Sequence, residues 1–96
     1  MRIDIQAKDF TVGEKLKEFI EKRIEKLERF YDQIIDAMVY LNDESSVSKE
    51  VVVKIKVKDN TLVSKEKGES FEQAADAAIE GSRRQLKKYK EKGQDK

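Results

Sequence analysis

Apolar residues along this chain recur at two spacings, every second residue in some stretches and every third or fourth in others. "RIDIQAK" (Arg2 to Lys8) sets Ile3, Ile5 and Ala7 against polar neighbours, the alternation of a half-buried strand. In "FTVGEKLKEFIEKRIEKLERFYDQ" the spacing lengthens. Val12, Leu16, Phe19, Ile20, Ile24, Leu27 and Tyr31 form the stripe of an amphipathic helix. Thr11, with Glu14 three residues later, fits a capping box and predicts the helix start. "IIDAMVYLN" (Ile34 to Asn42) returns to alternation, with Ala37, Val39 and Leu41 on one side, and "DESSVSK" reads as a polar turn. "EVVVKIKVKD" is the clearest strand: Val51, Val53, Ile55 and Val57 point one way, Lys54, Lys56 and Lys58 the other. Asp59 and Asn60 both tolerate positive φ and predict a two-residue hairpin turn into the strand "TLVSKEKG", whose polar residues fall on both faces. Gly68 ends that strand. Ser70 is placed to cap a second helix, with Phe71, Ala74, Ala75, Ala78, Ile79, Leu86 and Tyr89 as its apolar stripe.

The order is β-α-β-β-β-α. Two helices with one apolar stripe each need a surface to cover, and one face of a sheet serves both. The predicted fold is therefore α+β, a four-stranded mixed sheet with two helices packed on one face. The first two strands, if neighbours, pair in parallel through a right-handed crossover, and the last three form an antiparallel meander. A chain of 96 residues predicts one domain, here residues 1–90, with residues 91–96 as a flexible tail.

Composition narrows the chemistry. The chain has no cysteine and no histidine, which excludes disulfides, thiolate zinc sites and thiol or imidazole catalysis. Carboxylates are abundant but fall on the outer stripes of the helices. Asp43 and Glu44 are adjacent in a loop without any metal-binding pattern around them, and no glycine-rich phosphate loop is present. The expectation is a non-enzyme without cofactor or metal. No apolar run reaches the length of a membrane span and the opening residues alternate like a strand, so the cytoplasm is the expected compartment.

Charge adds the decisive pattern. Charged residues make up 43% of the chain yet the net charge is only +1, so the distribution matters and not the sum. At about 100° per residue, Glu14, Glu18, Glu21, Glu25 and Glu28 share one outer stripe of the first helix. Lys15, Lys22, Lys26 and Arg29 share a second, with Arg23 just inside the apolar edge. On the second helix Arg83, Arg84, Lys87, Lys88 and Lys90 follow Glu72, Asp76 and Glu80 on the outer arc. Matching of acids and bases to the helix dipole accounts for part of this, but five bases within eight residues repel one another. If the helices lie side by side, the basic rows join into one positive band. Lys54, Lys56, Lys58, Lys65 and Lys67 offer a competing positive surface on the open sheet face. Phe10, Phe19, Phe30 and Phe71 read as core, and Tyr31 and Tyr40 stay ambiguous, so phosphate contact with a shaped RNA fits better than base readout.

The element order, the opening "MRIDIQAKDFTVGEKLKEFIEKRIEKLERFY", the passage "EKGESFEQAADAAIE" and the ending "RRQLKKYKEK" together resemble the ribosome hibernation-promoting factors, also called ribosome-associated inhibitors or sigma-54 modulation proteins, in their short form. The resemblance implies binding to the small ribosomal subunit through 16S rRNA, in the channel where mRNA and the A- and P-site tRNAs lie, and inhibition of translation under stress or in stationary phase. It implies no membrane and no small-molecule substrate, and a monomer off the ribosome. Carried over position by position, rRNA contacts fall to Arg23, Lys26 and Arg29 of the first helix and to Arg84, Lys87, Lys88 and Lys90 of the second. Lys22 and Arg83 extend the same rows as this chain's own additions. Gly81 and Ser82 depart from the family pattern and predict a softer second helix. The competing reading is a protein-interaction module that uses the open sheet face or the edge strand Arg2 to Lys8.

Overall fold

The computed structural model describes residues 1–94. It turns the alternating stretches into β1 (Arg2–Ala7), β2 (Asp36–Ser45), β3 (Ser48–Val57) and β4 (Asn60–Gly68), and the longer spacings into α1 (Glu14–Phe30) and α2 (Phe71–Gln94). The strands lie in the order β1-β2-β3-β4, with β1 parallel to β2 and the other pairs antiparallel. The register aligns the core-facing residues in rows across the sheet, Ile3–Ala37–Ile55–Leu62 and Ile5–Val39–Val53–Ser64, apolar except for buried Ser64. Ile20, Ile24 and Leu27 of α1 and Ala74, Ala75, Ala78 and Leu86 of α2 close over those rows as a single buried core. Both helices therefore cover the same face, as the pattern requires.

α2 sits close to the sheet because its inner residues are small. At Gly81 a Cβ would come 2.3 Å from Ser64 Oγ of β4, so the glycine is what lets helix and strand approach. Ser82 is fully buried and its hydroxyl donates to the Ala78 carbonyl at 3.2 Å. The two residues that suggested a softer helix are thus buried where α2 packs on β4, and α2 runs unbroken through them.

Several local expectations change. α1 begins at Glu14 with Gly13 as N-cap (φ −70°, ψ 155°) and no side-chain cap, so Thr11 does not cap it. Val12 precedes the helix because it packs against the core while the chain is still entering, and Asp9, at φ 64°, turns the chain out of β1. β2 and β3 extend through most of "DESSVSK", leaving only Ser46 and Val47 as the turn. Their polar ends are paired by Lys49 with Asp43 and by Lys67 of β4 with Glu44, which the alternation of apolar residues could not register. The β3–β4 turn is Lys58–Asp59, closed by the pair Val57–Asn60. It uses no left-handed residue, Asp9 being the only non-glycine with positive φ among the described residues.

Ser70 does cap α2: its Oγ accepts from the Gln73 N–H at 3.1 Å, and Gln73 Oε1 accepts from the Glu69 N–H at 2.8 Å. The helix continues to Gln94, past Lys90 where the folded domain was expected to end. The last part of the expected tail, residues 95–96, lies outside the described residues.

Candidate nucleic-acid interface

α1 and α2 run side by side in the same direction. Phe10, before α1, stacks on Phe71 at the start of α2, with ring centroids 5.3 Å apart. Midway, Arg23 Nη1 lies 3.2 Å from Asp76 Oδ1. Further on, Arg83 and Lys90 of α2 stand over the Phe30 ring of α1, at 5.8 and 5.3 Å from its centroid. Beyond the helix, Tyr31 meets Tyr89 edge to face at 5.9 Å.

These contacts fix which stripe of each helix faces the other. On α1 the seam runs through Arg23 and Phe30. Lys26 lies three residues after the one and four before the other, on the outer lip of the seam, and Lys22 and Arg29 continue its row. The glutamate row turns the opposite way, toward β1, where Glu28 Oε2 meets the Met1 amino group at 3.3 Å. On α2, Arg83, Lys87 and Lys90 are spaced four and three apart along the seam, and Arg84 and Lys88 form the next row outward. The positive rows of the two helices thus converge on one side of the molecule.

The band is not uniform along its length. In its N-terminal half the seam holds the acids Asp76 and Glu80. Asp76 takes Arg23, and Glu80 takes Arg83 Nη2 at 3.0 Å. The Arg83 hydrogen bonds hold the Glu80 carboxyl below its usual range, while the same contact raises the Arg83 guanidinium. Both pairs are about half exposed, so each contributes little to stability and is open to exchange with another anion. In the C-terminal half the picture differs. Among the described residues no ion pair reaches Lys26, Arg29, Arg84, Lys87, Lys88 or Lys90 there, nor Lys22 at the middle of α1, and all seven are exposed. Glu21, Glu25, Glu28 and Glu91 adjoin these bases in sequence, the first three on the glutamate row of α1 and Glu91 exposed on the outer arc of α2. The expected continuous band is therefore free of seam acids only over its C-terminal half.

The phenylalanines read as core occupy its rim: Phe10, Phe19, Phe30 and Phe71 are all partly exposed and packed against it. Two of them carry bases of the band, since Arg23 also lies over the Phe19 ring at 4.8 Å. Their place on the helical stripe signalled an apolar contact. Nothing in the spacing signalled that the contact is with a guanidinium. Among the described residues no helix is long and apolar enough to cross a membrane, and no group of three or more acidic residues is placed to hold a metal ion.

Comparison with known proteins agrees with this architecture. The solved structure of a ribosomal subunit interface protein from Coxiella burnetii, at TM-score 0.86, matches 94% of this chain and 98% of that one at 20% identity. The N-terminal domain of Protein Y from Thermus thermophilus, at TM-score 0.82, matches 93% and 99% at 18% identity. At such identities the likeness is one of fold. In sequence, the chain is 35% identical over 94 residues to the ribosome hibernation promotion factor of Bacillus subtilis (strain 168), and 26% identical over 92 residues to that of Staphylococcus aureus (strain COL). Those alignments cover 96% and 94% of this chain but 50% and 48% of the relatives, so the chain spans about half their length. Residues 3–94 match the family model described as sigma 54 modulation protein / S30EA ribosomal protein, and the chain belongs to that family.

Proposed function

We propose that the chain binds the small ribosomal subunit through phosphates of 16S rRNA in the channel for mRNA and the A- and P-site tRNAs, and inhibits translation by occupying it. Stress or stationary phase is the setting in which that would serve a cell. The observation that carries this reading is the convergence of exposed, unpaired bases from α1 and α2 on one side of the molecule. Lysine and arginine rows on rigid helices suit a fixed array of phosphates, which positions a protein on RNA without reading its sequence. The names of the relatives as hibernation promotion factors point the same way. The contacts we assign are Lys22, Lys26, Arg29, Arg84, Lys87, Lys88 and Lys90. Arg23 and Arg83 join them by exchanging Asp76 and Glu80 for phosphate. The action is steric and non-enzymatic, by a monomer in the cytoplasm.

Sedimentation with purified small subunits tests this. Reversing Lys26, Arg29, Lys87 and Lys88 to Glu is expected to abolish co-sedimentation and inhibition of a reconstituted translation reaction while leaving the circular dichroism spectrum unchanged. Retention of both activities in that variant would mean that another surface binds. One observation favours the interaction-module reading: Val63 is 48% exposed on the open sheet face, the face that half-buried Met38, Tyr40 and Val52 share. A protein partner retained at high salt after nuclease treatment would speak for it.

A further inference from the structure

At the C-terminal end of the band, the last turn of α1, the β3–β4 turn and the end of α2 enclose an open groove of about 1080 Å³. Tyr31 and Tyr89 both line it. Tyr31 leaves α1 in an extended conformation (φ −144°, ψ 108°), with its N–H still bonded to the Leu27 carbonyl at 2.8 Å, and its hydroxyl donates to Gln33 Oε1 at 3.3 Å. Tyr89 is fixed from the other side: its hydroxyl donates to Asp59 Oδ1 at 2.5 Å. The two rings are therefore held at both ends and meet edge to face, a preformed aromatic corner.

Around this corner stand four bases. Arg29 and Lys90 belong to the band itself, while Lys58 comes from the β3–β4 turn and Lys92 from the last part of α2. Two acids also line the groove, but Asp59 is engaged by the Tyr89 hydroxyl, which leaves Asp32 as the acid without a hydrogen bond from a described side chain. The groove thus combines ring surface with net positive charge and opens onto the row of phosphate-binding bases. Small-ligand pockets run about 300–1,000 Å³, so the groove has room for one nucleotide together with its flanking backbone.

We propose that this groove receives a single unstacked nucleotide of an RNA strand, its base against Tyr31 and Tyr89 and its phosphates among Arg29, Lys58, Lys90 and Lys92. The proposal rests on the rRNA-binding reading above and deepens it: beside a phosphate array that any RNA helix satisfies, the chain holds a pocket that only a single-stranded or flipped-out nucleotide fills. A base inside a duplex is stacked on both faces and has none to offer a tyrosine ring.

Nuclear magnetic resonance of the ¹⁵N-labelled full chain, titrated separately with a single-stranded hexaribonucleotide, a short RNA duplex and tripolyphosphate, tests this. The hexaribonucleotide is expected to move the signals of Tyr31, Asn60 and Tyr89 and to quench tyrosine fluorescence. The duplex and tripolyphosphate are expected to move Lys26 and Lys87 and leave the tyrosine rings unchanged. Tyr31→Leu should weaken hexaribonucleotide binding about tenfold while duplex binding stays within about twofold, the scale of one lost base–aromatic stack. Lys58→Glu, on an exposed turn, should weaken the same interaction with both rings in place. If the hexaribonucleotide moves only the helix band, or tripolyphosphate shifts the tyrosine rings equally, the nucleotide proposal is overturned, and co-sedimentation with small subunits would show the rRNA reading intact. If the hexaribonucleotide fills the groove but small subunits do not bind, the groove stands and the ribosomal reading fails.

Discussion

On the open face of the sheet, Lys65 lies 3.6 Å from Glu50, Lys67 lies 3.0 Å from Glu44, and Lys54 stands over the Tyr40 ring at 5.3 Å. The register also sets Lys56 opposite Asp36 and Lys67 opposite Glu50. On the helix face, Lys22, Lys26, Arg29, Arg84, Lys87, Lys88 and Lys90 have no carboxylate partner among the described residues, although Lys90 stands over the Phe30 ring. Both surfaces are rich in bases, yet the sheet uses its lysines to join strands, as cross-strand pairs do. The helices sort charge by stripe instead. On α1 the glutamates turn toward β1 and the bases toward α2, so the fold gathers charge of one sign along the C-terminal half of the seam. What distinguishes a binding face is where its acids have gone, and a count of bases does not reveal that.

The largest effect on stability should come at the point where the two faces are joined. Gly81→Ala places a methyl 2.3 Å from Ser64 Oγ. Overpacking costs about 1–3 kcal/mol and the better helix former returns about 1, so urea denaturation should show a net loss of about 1 kcal/mol. Adding Ser64→Ala should recover it, because the Ser64 Cβ is 3.4 Å from the new methyl, an ordinary contact. A stabilising Gly81→Ala by itself would mean that close approach does not set the height of α2.

A smaller change sharpens the contrast directly. Asp76→Asn releases Arg23 on the helix face and should raise affinity for small subunits about threefold, the scale of one exposed ion pair. Glu50→Gln releases Lys65 on the sheet face and should leave that affinity unchanged. Equal gains from both variants would show that the two faces act through long-range charge alone.

The smallest effect concerns the end of the seam. The hydrogen bond to Asp59 pushes the Tyr89 hydroxyl up from 10.0 to about 12. Its stabilising contribution is then complete below pH 10 and is lost as the pH rises through about 12. Thermal melts should find Tyr89→Phe less stable than the parent chain at neutral pH, with the difference vanishing across that window. A difference that persisted to higher pH would point to ring packing as its source.

The strands, both helical stripes and the separation of charge into rows were legible because each depends on side-chain periodicity alone. Ile3, Ile5 and Ala7 or Val51, Val53, Ile55 and Val57 announce their face without reference to any other segment. What periodicity could not show was contact between segments. Asp76 and Glu80 looked like ordinary acids of a helix beginning, and only the alignment of α1 with α2 puts Asp76 against Arg23. Tyr31 was ambiguous until Tyr89 and Asp59, far along the chain, were seen beside it. Gly13 displaced Thr11 at the start of α1 because core packing of Val12 overrode a local capping pattern.

The central claim is that the helix face, and not the sheet face, meets phosphate. Two variants with the same net charge isolate it: Lys26→Glu with Lys87→Glu, and Lys54→Glu with Lys56→Glu. The measurement is the affinity of each for purified small subunits over a series of salt concentrations, beside the parent chain. The helix-face pair is expected to bind at least about tenfold more weakly, and to lose about one unit of slope in log affinity against log salt for each lysine. The sheet-face pair should keep the parent slope. Equal losses, or the greater loss in the sheet-face pair, would contradict the account.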